Sequence, residues 1–174
     1  MAGIPSPTND PIIVAARSAS KRVLGTLALN RTEPISPTLI HDIVKKSDLA
    51  NPVVLRNVTM YVLPFAAFFR FDDVSRIRSD ICFKEGFMVI KVQKSKNDQL
   101  CKGDEVVVSQ LSCAACPVEL LKRYLAIFKI PPHSKDLIFK PISRGKGCCK
   151  LVALDKPISY FTIRGAFRRD LLSL

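Results

Sequence analysis

Apolar residues in the first half of this chain recur at the spacing of α-helices. Ser36-Pro37 predicts a helix start, because serine is a favoured N-cap and proline is tolerated in the first helical turn. The segment Pro52–Phe69 predicts a second helix that is apolar around most of its circumference, which is typical of a helix at the centre of a core. Pro64 lies inside it and is a candidate kink. Asp72–Ile77 predicts a further short helix with acidic residues at its start.

The period of the pattern changes in the second half of the chain. Phe87–Val92 and Glu105–Ser109 are rich in β-forming residues, and a polar connection separates them, so we predict a hairpin. Helical spacing returns at Pro117 and continues to the Pro131-Pro132 pair, which is expected to end that helix. A last helix is predicted over Ser159–Leu172.

Two shorter segments complete the pattern. Leu137–Phe139 is apolar and is predicted to be buried, whereas Arg144–Gly147 has the composition of a loop. The elements together predict an α+β fold that is mainly helical, with a small antiparallel hairpin or sheet on one edge. The 174 residues can form one sizeable core. We expect it in residues 33–174, with residues 1–32 as a tail or linker that carries a short helix over Val14–Leu27.

The charge balance changes the expected partner. The chain has 27 Lys and Arg residues against 15 Asp and Glu residues, a formal net charge of +12 at pH 7. Such a charge favours a polyanionic partner, and nucleic acid fits better than a membrane because the basic residues are spread from Arg17 to Arg169. The alternative is a soluble protein that is simply basic. No secretory signal or membrane-spanning run is visible in the sequence, so an intracellular protein without a membrane partner is predicted.

Arg70 and Asp73 are the first candidates for chemistry. Arginine can bind a phosphate through two hydrogen bonds, and an acidic residue three positions later could orient it. The alternative is a solvated arginine at a helix end with an ordinary ion pair. Lys94 and Lys96 lie in the polar connection of the predicted hairpin, where a lysine could protonate a leaving oxygen. Here the alternative is a solvated basic turn.

The order of these elements resembles the catalytic domain of tyrosine recombinases, the phage-integrase-like enzymes that cut and rejoin DNA. The resemblance covers residues 33–174, which correspond to the N-terminal half of that domain. Residues 1–32 are a candidate remnant of the family's upstream helical DNA-clamping domain. The segment Ser95-Lys-Asn-Asp-Gln99 is most similar to the eukaryotic branch derived from mobile elements.

The resemblance implies specific roles. Arg70 matches the arginine that grips the scissile phosphate, Asp73 the supporting acid, and Lys96 the proposed general acid, with Lys94 as the alternative if the register shifts by two. Double-stranded DNA is the implied partner, with no cofactor or metal and with a nuclear location. The residues predicted to contact DNA are Arg70, Lys91, Lys94, Lys96, Arg164 and Arg168.

The chain departs from the family pattern downstream of these elements. The family places a His-x-x-Arg box and then a nucleophilic tyrosine there. Neither His41 nor His133 is followed by an arginine at the third position, and no such box precedes Tyr61, Tyr124 or Tyr160. Because the family cuts DNA through a phosphotyrosine, the 174 residues are expected to be catalytically incomplete. The sequence pattern leaves open whether the chain is an enzyme.

The cysteines and the apolar surface suggest further alternatives. Cys113-Ala-Ala-Cys116 with Cys148-Cys149 could suggest a zinc site, but the adjacent second pair makes tetrahedral ligation awkward, and no metal is predicted. Cys82 and Cys101 are interpreted as small hydrophobic residues flanking the strands. A noncatalytic DNA-binding remnant and a basic protein-interaction module are the competing hypotheses for function. Incomplete burial of apolar faces such as Leu171-Leu172 predicts self-association.

Overall fold

The computed structural model describes residues 10–24, 34–92, 104–131, 134–145 and 148–174. The chain divides into two compact units, Met1–Pro34 and Ile35–Leu174. In the first unit the described element is helix α1, Pro11–Leu24. Asp10 Oδ1 accepts a hydrogen bond of 2.8 Å from the Ile12 N–H and so satisfies one amide at its start. The short helix predicted over Val14–Leu27 is confirmed as far as Leu24, although it starts three residues earlier, and residues 25–27 lie outside the described residues.

The second unit begins with three consecutive helices: α2, Pro37–Lys46, α3, Pro52–Ala67, and α4, Phe71–Ser75. The predicted Ser36 cap is confirmed, because its side chain accepts a hydrogen bond of 3.1 Å from Leu39 N–H. Pro64 lies within α3 as expected. The helix ends before Phe69, since Phe68 takes a left-handed conformation with φ 54°.

A three-stranded antiparallel sheet follows, with strands β1, Ile81–Lys84, β2, Phe87–Val92, and β3, Asp104–Ser109 in that order. The predicted pairing of the last two strands is confirmed, with Val92 opposite Asp104 and Phe87 opposite Ser109. Strand β1 was not predicted. It joins β2 through a tight turn in which Gly86 has φ 79°, a conformation that suits glycine.

The remaining elements are α5, Pro117–Ile127, β4, Ile142–Gly145, β5, Cys148–Leu151, and α6, Tyr160–Leu172. The loop predicted over residues 144–147 is wrong at its first two positions, because Arg144 pairs with Cys149 and Gly145 with Cys148 in an antiparallel ribbon. Residues 146 and 147 lie outside the described residues. A two-stranded ribbon is held by backbone hydrogen bonds, so its side chains need not alternate between apolar and polar. Helix α5 ends before Pro131, with a turn at Lys129, which has φ 49°.

Helix α3 is central to the core, as predicted, since it contacts α2, α4, α5, α6 and β3. Leu55, Val58 and Leu63 on this helix are fully buried. The segment Leu137–Phe139 is also buried, and its Phe139 ring stacks on Tyr124 with a centroid separation of 5.2 Å. The predicted mainly helical α+β fold with a small antiparallel sheet is therefore confirmed. None of the helices in the described part of the chain is long and apolar enough to cross a membrane.

Candidate functional site

Arg70 lies between two helices rather than within one. The left-handed Phe68 ends α3, and Arg70 becomes the exposed N-cap of α4. Its backbone N–H donates a hydrogen bond of 3.1 Å to Asp73 Oδ2, which is one half of a capping box. Asp73 therefore orients the backbone of Arg70, whereas the sequence suggested that it could orient the arginine side chain. In the described ranges the guanidinium of Arg70 has no ion-pair partner, so its charge faces solvent.

A cleft of about 440 Å³ lies beside this junction. Asp73 lies at one side of the cleft, and Arg76 and Arg78 follow from the loop after α4. Asp155 and Pro157, which precede α6 in the chain, also line the cleft. Polar side chains from distant parts of the sequence therefore line the same cleft.

Arg78 is held in place by the surrounding backbone. Its guanidinium donates to the carbonyl of Lys135 and to Asp155 Oδ2, the latter over 3.3 Å, and its backbone forms a bridge with Leu137. Arg76 is exposed and, within the described residues, forms no side-chain ion pair. The arrangement can bind an anion through Arg76 and through Arg70 nearby, while Arg78 is already compensated by Asp155.

The strand before the hairpin connection ends at this cleft. Val92, the last residue of β2, lines it, and Asp104 is its partner in β3. Lys94 and Lys96 follow Val92 in the sequence, but both lie outside the described residues. The structure therefore places Val92, which precedes this segment in the sequence, beside the cleft, and the roles of the two lysines stay predictions.

Arg70 and the other predicted DNA contacts within the described residues lie outside the cleft lining. Lys91 Nζ is 3.9 Å from Asp80 Oδ2 and 3.9 Å from Glu105 Oε1, so its charge is shared between two exposed carboxylates. Arg164 lies over the ring of Tyr160 at 6.0 Å, which is a cation–π geometry. Tyr160 in turn packs edge-on against Phe71 at 5.3 Å, and this contact brings the start of α6 next to Arg70.

Arg168 lies one turn after Arg164 on α6 and is exposed. It lies four positions after Arg164, so both side chains occupy the same face of this helix. The two arginines therefore form a basic stripe that starts close to the junction of α3 and α4.

Two of the three tyrosines are buried and committed to structural hydrogen bonds. Tyr61 Oη donates to Asp170 Oδ2 over 3.0 Å, and Tyr124 Oη donates to the carbonyl of Ile138 over 2.6 Å. Burial, together with the charge and hydrogen bond of Asp170, raises the pKa of Tyr61, and burial raises the pKa of Tyr124. Neither phenol is available as a nucleophile. Tyr160 is half exposed at the start of α6.

Sequence reasoning missed Arg76, Arg78 and Asp155. The two arginines follow Arg70 closely in a stretch already singled out, so their spacing was an available signal. Asp155 carried no such signal, because 77 positions separate it from Arg78. The described residues also contain no group of three or more His, Cys, Asp or Glu side chains that could hold a metal ion. Cys82 was expected to flank a strand as a small hydrophobic residue, but it lies within β1 and is exposed.

Sequence comparison relates this chain to the integrase/recombinase class and supports a tyrosine-recombinase relationship. The relative is an integrase/recombinase XerD homolog from Selenomonas ruminantium, with 28% identity over 158 residues. The match covers 88% of this chain and 45% of that protein, so the chain spans a little under half the length of the curated relative. No family model matches the chain.

Proposed function

We propose that this chain binds double-stranded DNA as part of a tyrosine-recombinase-like protein that acts in DNA recombination and integration. The observation that carries the proposal is that Asp73, Arg76 and the end of β2 line one cleft, while the exposed Arg70 is hydrogen-bonded through its backbone to Asp73. The similarity to an integrase/recombinase supports the same function. A formal charge of +12 adds a long-range attraction for a polyanion.

In this proposal Arg70 contacts a backbone phosphate directly. Its guanidinium is exposed, while the Asp73 hydrogen bond holds its backbone at the helix start. Asp73 is thus a positioning residue. Lys96, or Lys94 in the alternative register, follows Val92 in the sequence and is assigned the role of general acid.

Lys91, Arg164 and Arg168 supply further phosphate contacts along the exposed surface. The carboxylates near Lys91 are themselves exposed, so a phosphate can compete for this lysine. The pairing of Arg164 with the Tyr160 ring leaves the guanidinium open to solvent on its other side.

Strand cleavage is not expected from these 174 residues alone. They contain no His-x-x-Arg box, and Tyr61 and Tyr124 are buried and hydrogen-bonded. A nicked suicide substrate that traps covalent phosphotyrosine should yield no adduct. An adduct that disappears in Tyr160→Phe would identify Tyr160 as the nucleophile and overturn this part of the proposal.

The finer assignment rests on the sequence motif. Ser95–Gln99 supports membership of the eukaryotic, mobile-element-derived branch, and that branch would place the protein in the nucleus. Imaging of a fluorescently tagged chain in eukaryotic cells tests the location, and exclusion from the nucleus would contradict it.

Self-association is also proposed. Phe68 and Leu172 are 95% and 87% exposed, whereas Leu171 packs partly against the core. Sedimentation velocity over a concentration series tests this, with Phe68→Ser and Leu172→Ser expected to shift the distribution towards monomer. A chain that stays monomeric at every concentration would refute it.

The experiment for DNA binding is a salt titration with a fluorescent duplex, read by anisotropy. Affinity should fall steeply with salt, and Arg70→Ala and Arg76→Ala should each reduce the slope of log affinity against log salt by about one. Lys96→Ala is expected to weaken binding further.

The matched control is Arg123→Ala. Arg123 is an exposed arginine of α5 that does not line the cleft, and its described side-chain contact is a long hydrogen bond of 3.5 Å to the Leu49 carbonyl. The Arg123→Ala substitution removes the same charge and should leave the slope of log affinity against log salt nearly unchanged. Equal losses in all variants would mean that binding follows net charge and not the cleft. Unmeasurable binding at low salt would refute the proposed function and favour a protein-interaction module.

A further inference from the structure

Cys113 and Cys116 lie in the segment that joins β3 to α5. The N–H of Cys116 donates a hydrogen bond of 3.1 Å to the carbonyl of Cys113, so the four residues Cys113-Ala-Ala-Cys116 form a closed turn. A turn of this kind holds its end Cα atoms within about 7 Å. A disulfide bridges Cα atoms about 4.4–6.8 Å apart, so the backbone already has the required span.

The two thiols differ in accessibility. Cys113 is exposed, whereas Cys116 is only 1% exposed and is the N-cap residue of α5. The Sγ atom of Cys116 accepts a hydrogen bond of 3.2 Å from Leu111 N–H, which fixes the position of the sulfur inside the loop. A dissolved oxidant therefore meets Cys113 first and reaches Cys116 only through it. This is the geometry of an attacking and a resolving thiol.

We propose that Cys113 and Cys116 form a reversible intramolecular disulfide by exchange with a low-molecular-weight disulfide such as oxidised glutathione. The Cys113 thiolate attacks one sulfur of the glutathione disulfide, and the first glutathione leaves as a thiolate that takes up a proton. The Cys116 thiolate then attacks the Cys113 sulfur of the mixed disulfide and releases the second glutathione. Two protein thiols are oxidised, and one glutathione disulfide is reduced to two thiols.

The position of the bridge gives it a structural effect. Cys113 lines an apolar cavity of about 590 Å³ between α2, α3 and β3, and Ala115 and Pro117 line it too. Closing the disulfide draws the Cys113 sulfur towards Cys116 and covalently fixes the segment that enters α5. The bridged turn leads directly into α5, which packs along the central helix α3. The reaction does not depend on DNA binding.

The test uses the full chain equilibrated in glutathione buffers of increasing oxidised fraction. The samples are then quenched in acid, unfolded, alkylated and digested with trypsin, and the peptide from Gly103 to Lys122 contains both cysteines. We expect this peptide to lose both alkylation sites together and to become lighter by two hydrogen atoms. Dithiothreitol should restore both sites.

Cys113→Ser is the main variant, because this exposed position tolerates a small polar side chain. In it the Cys116 thiol should stay free across the buffers in which the wild-type chain is oxidised. Cys82→Ser, which removes another exposed thiol, is the matched control and should leave the transition unchanged. A glutathione adduct on Cys113 without a bridge, a bridge to another cysteine, or equal oxidation of Cys116 in Cys113→Ser would each overturn the proposal.

Discussion

Removing one oxygen atom in Tyr124→Phe tests how the fold supports the cleft. Tyr124 is fully buried, and its hydroxyl donates to the Ile138 carbonyl over 2.6 Å. Ile138 in turn donates its N–H to the Ile77 carbonyl over 3.1 Å, next to the arginine-bearing loop. The hydroxyl thus joins α5 to the segment that packs under the cleft.

The magnitude follows from what the substitution leaves behind. The phenylalanine ring keeps the stacking on Phe139, so the loss comes mainly from a buried carbonyl left without its donor. Such an unsatisfied group costs about 1–3 kcal/mol of unfolding free energy. For a chain of this size, each kcal/mol lowers the melting temperature by about 2–4 °C.

Urea denaturation followed by circular dichroism measures this loss, and differential scanning calorimetry gives the shift in melting temperature. Tyr160→Phe is the control, because Tyr160 is half exposed and its hydroxyl has no hydrogen-bond partner within the described residues. Its effect should stay within about 0.5 kcal/mol. If Tyr124→Phe were no more destabilising than Tyr160→Phe, the buried hydrogen bond would not support the fold as argued.

Three further predictions concern a helix cap, the pH dependence of stability and the backbone conformation of a glycine. Asp73→Ala should lower the free energy of unfolding by about 1 kcal/mol, measured by urea denaturation. The loss should exceed that of Asp72→Ala, which removes the same charge at the helix start but keeps the hydrogen bond to Arg70. Equal losses in the two variants would contradict the capping role of Asp73. Below about pH 10 the folded and unfolded chains both keep the Tyr61 proton, so the contribution of Tyr61 to stability is fully present. Burial and Asp170 raise the pKa of Tyr61 in the folded chain. At higher pH the unfolded chain therefore loses this proton first, and the stability of the fold decreases. Tyr61→Phe should show a shallower alkaline decline of stability by circular dichroism, and an unchanged decline would argue against this linkage. Gly86→Ala should cost about 1–2 kcal/mol by urea denaturation from its φ of 79° alone, because an added Cβ meets no atom within 4 Å; a much larger loss would indicate a steric clash.

The candidate site was predictable where the signals were short-range. Arg70 and Asp73 are three positions apart in the sequence, and this spacing was enough to predict that the two residues interact. The kind of contact could not be predicted, because the apolar run up to Phe69 gives no sign that Phe68 adopts a left-handed conformation and that a new helix begins after Arg70. The capping hydrogen bond exists only because of that break.

The sequence by itself determined the helix starts at Ser36 and Ser159, the pairing of β2 with β3, and the burial of Leu137–Phe139. These features depend on side chains acting on backbone a few residues away, or on one strongly apolar segment. Only the tertiary structure decided the added strand β1, the β4–β5 ribbon and the ion pair of Arg78 with Asp155. Such contacts join segments that carry no local signal for each other, and they form because the packing around α3 leaves one arrangement that satisfies both burial and backbone hydrogen bonding.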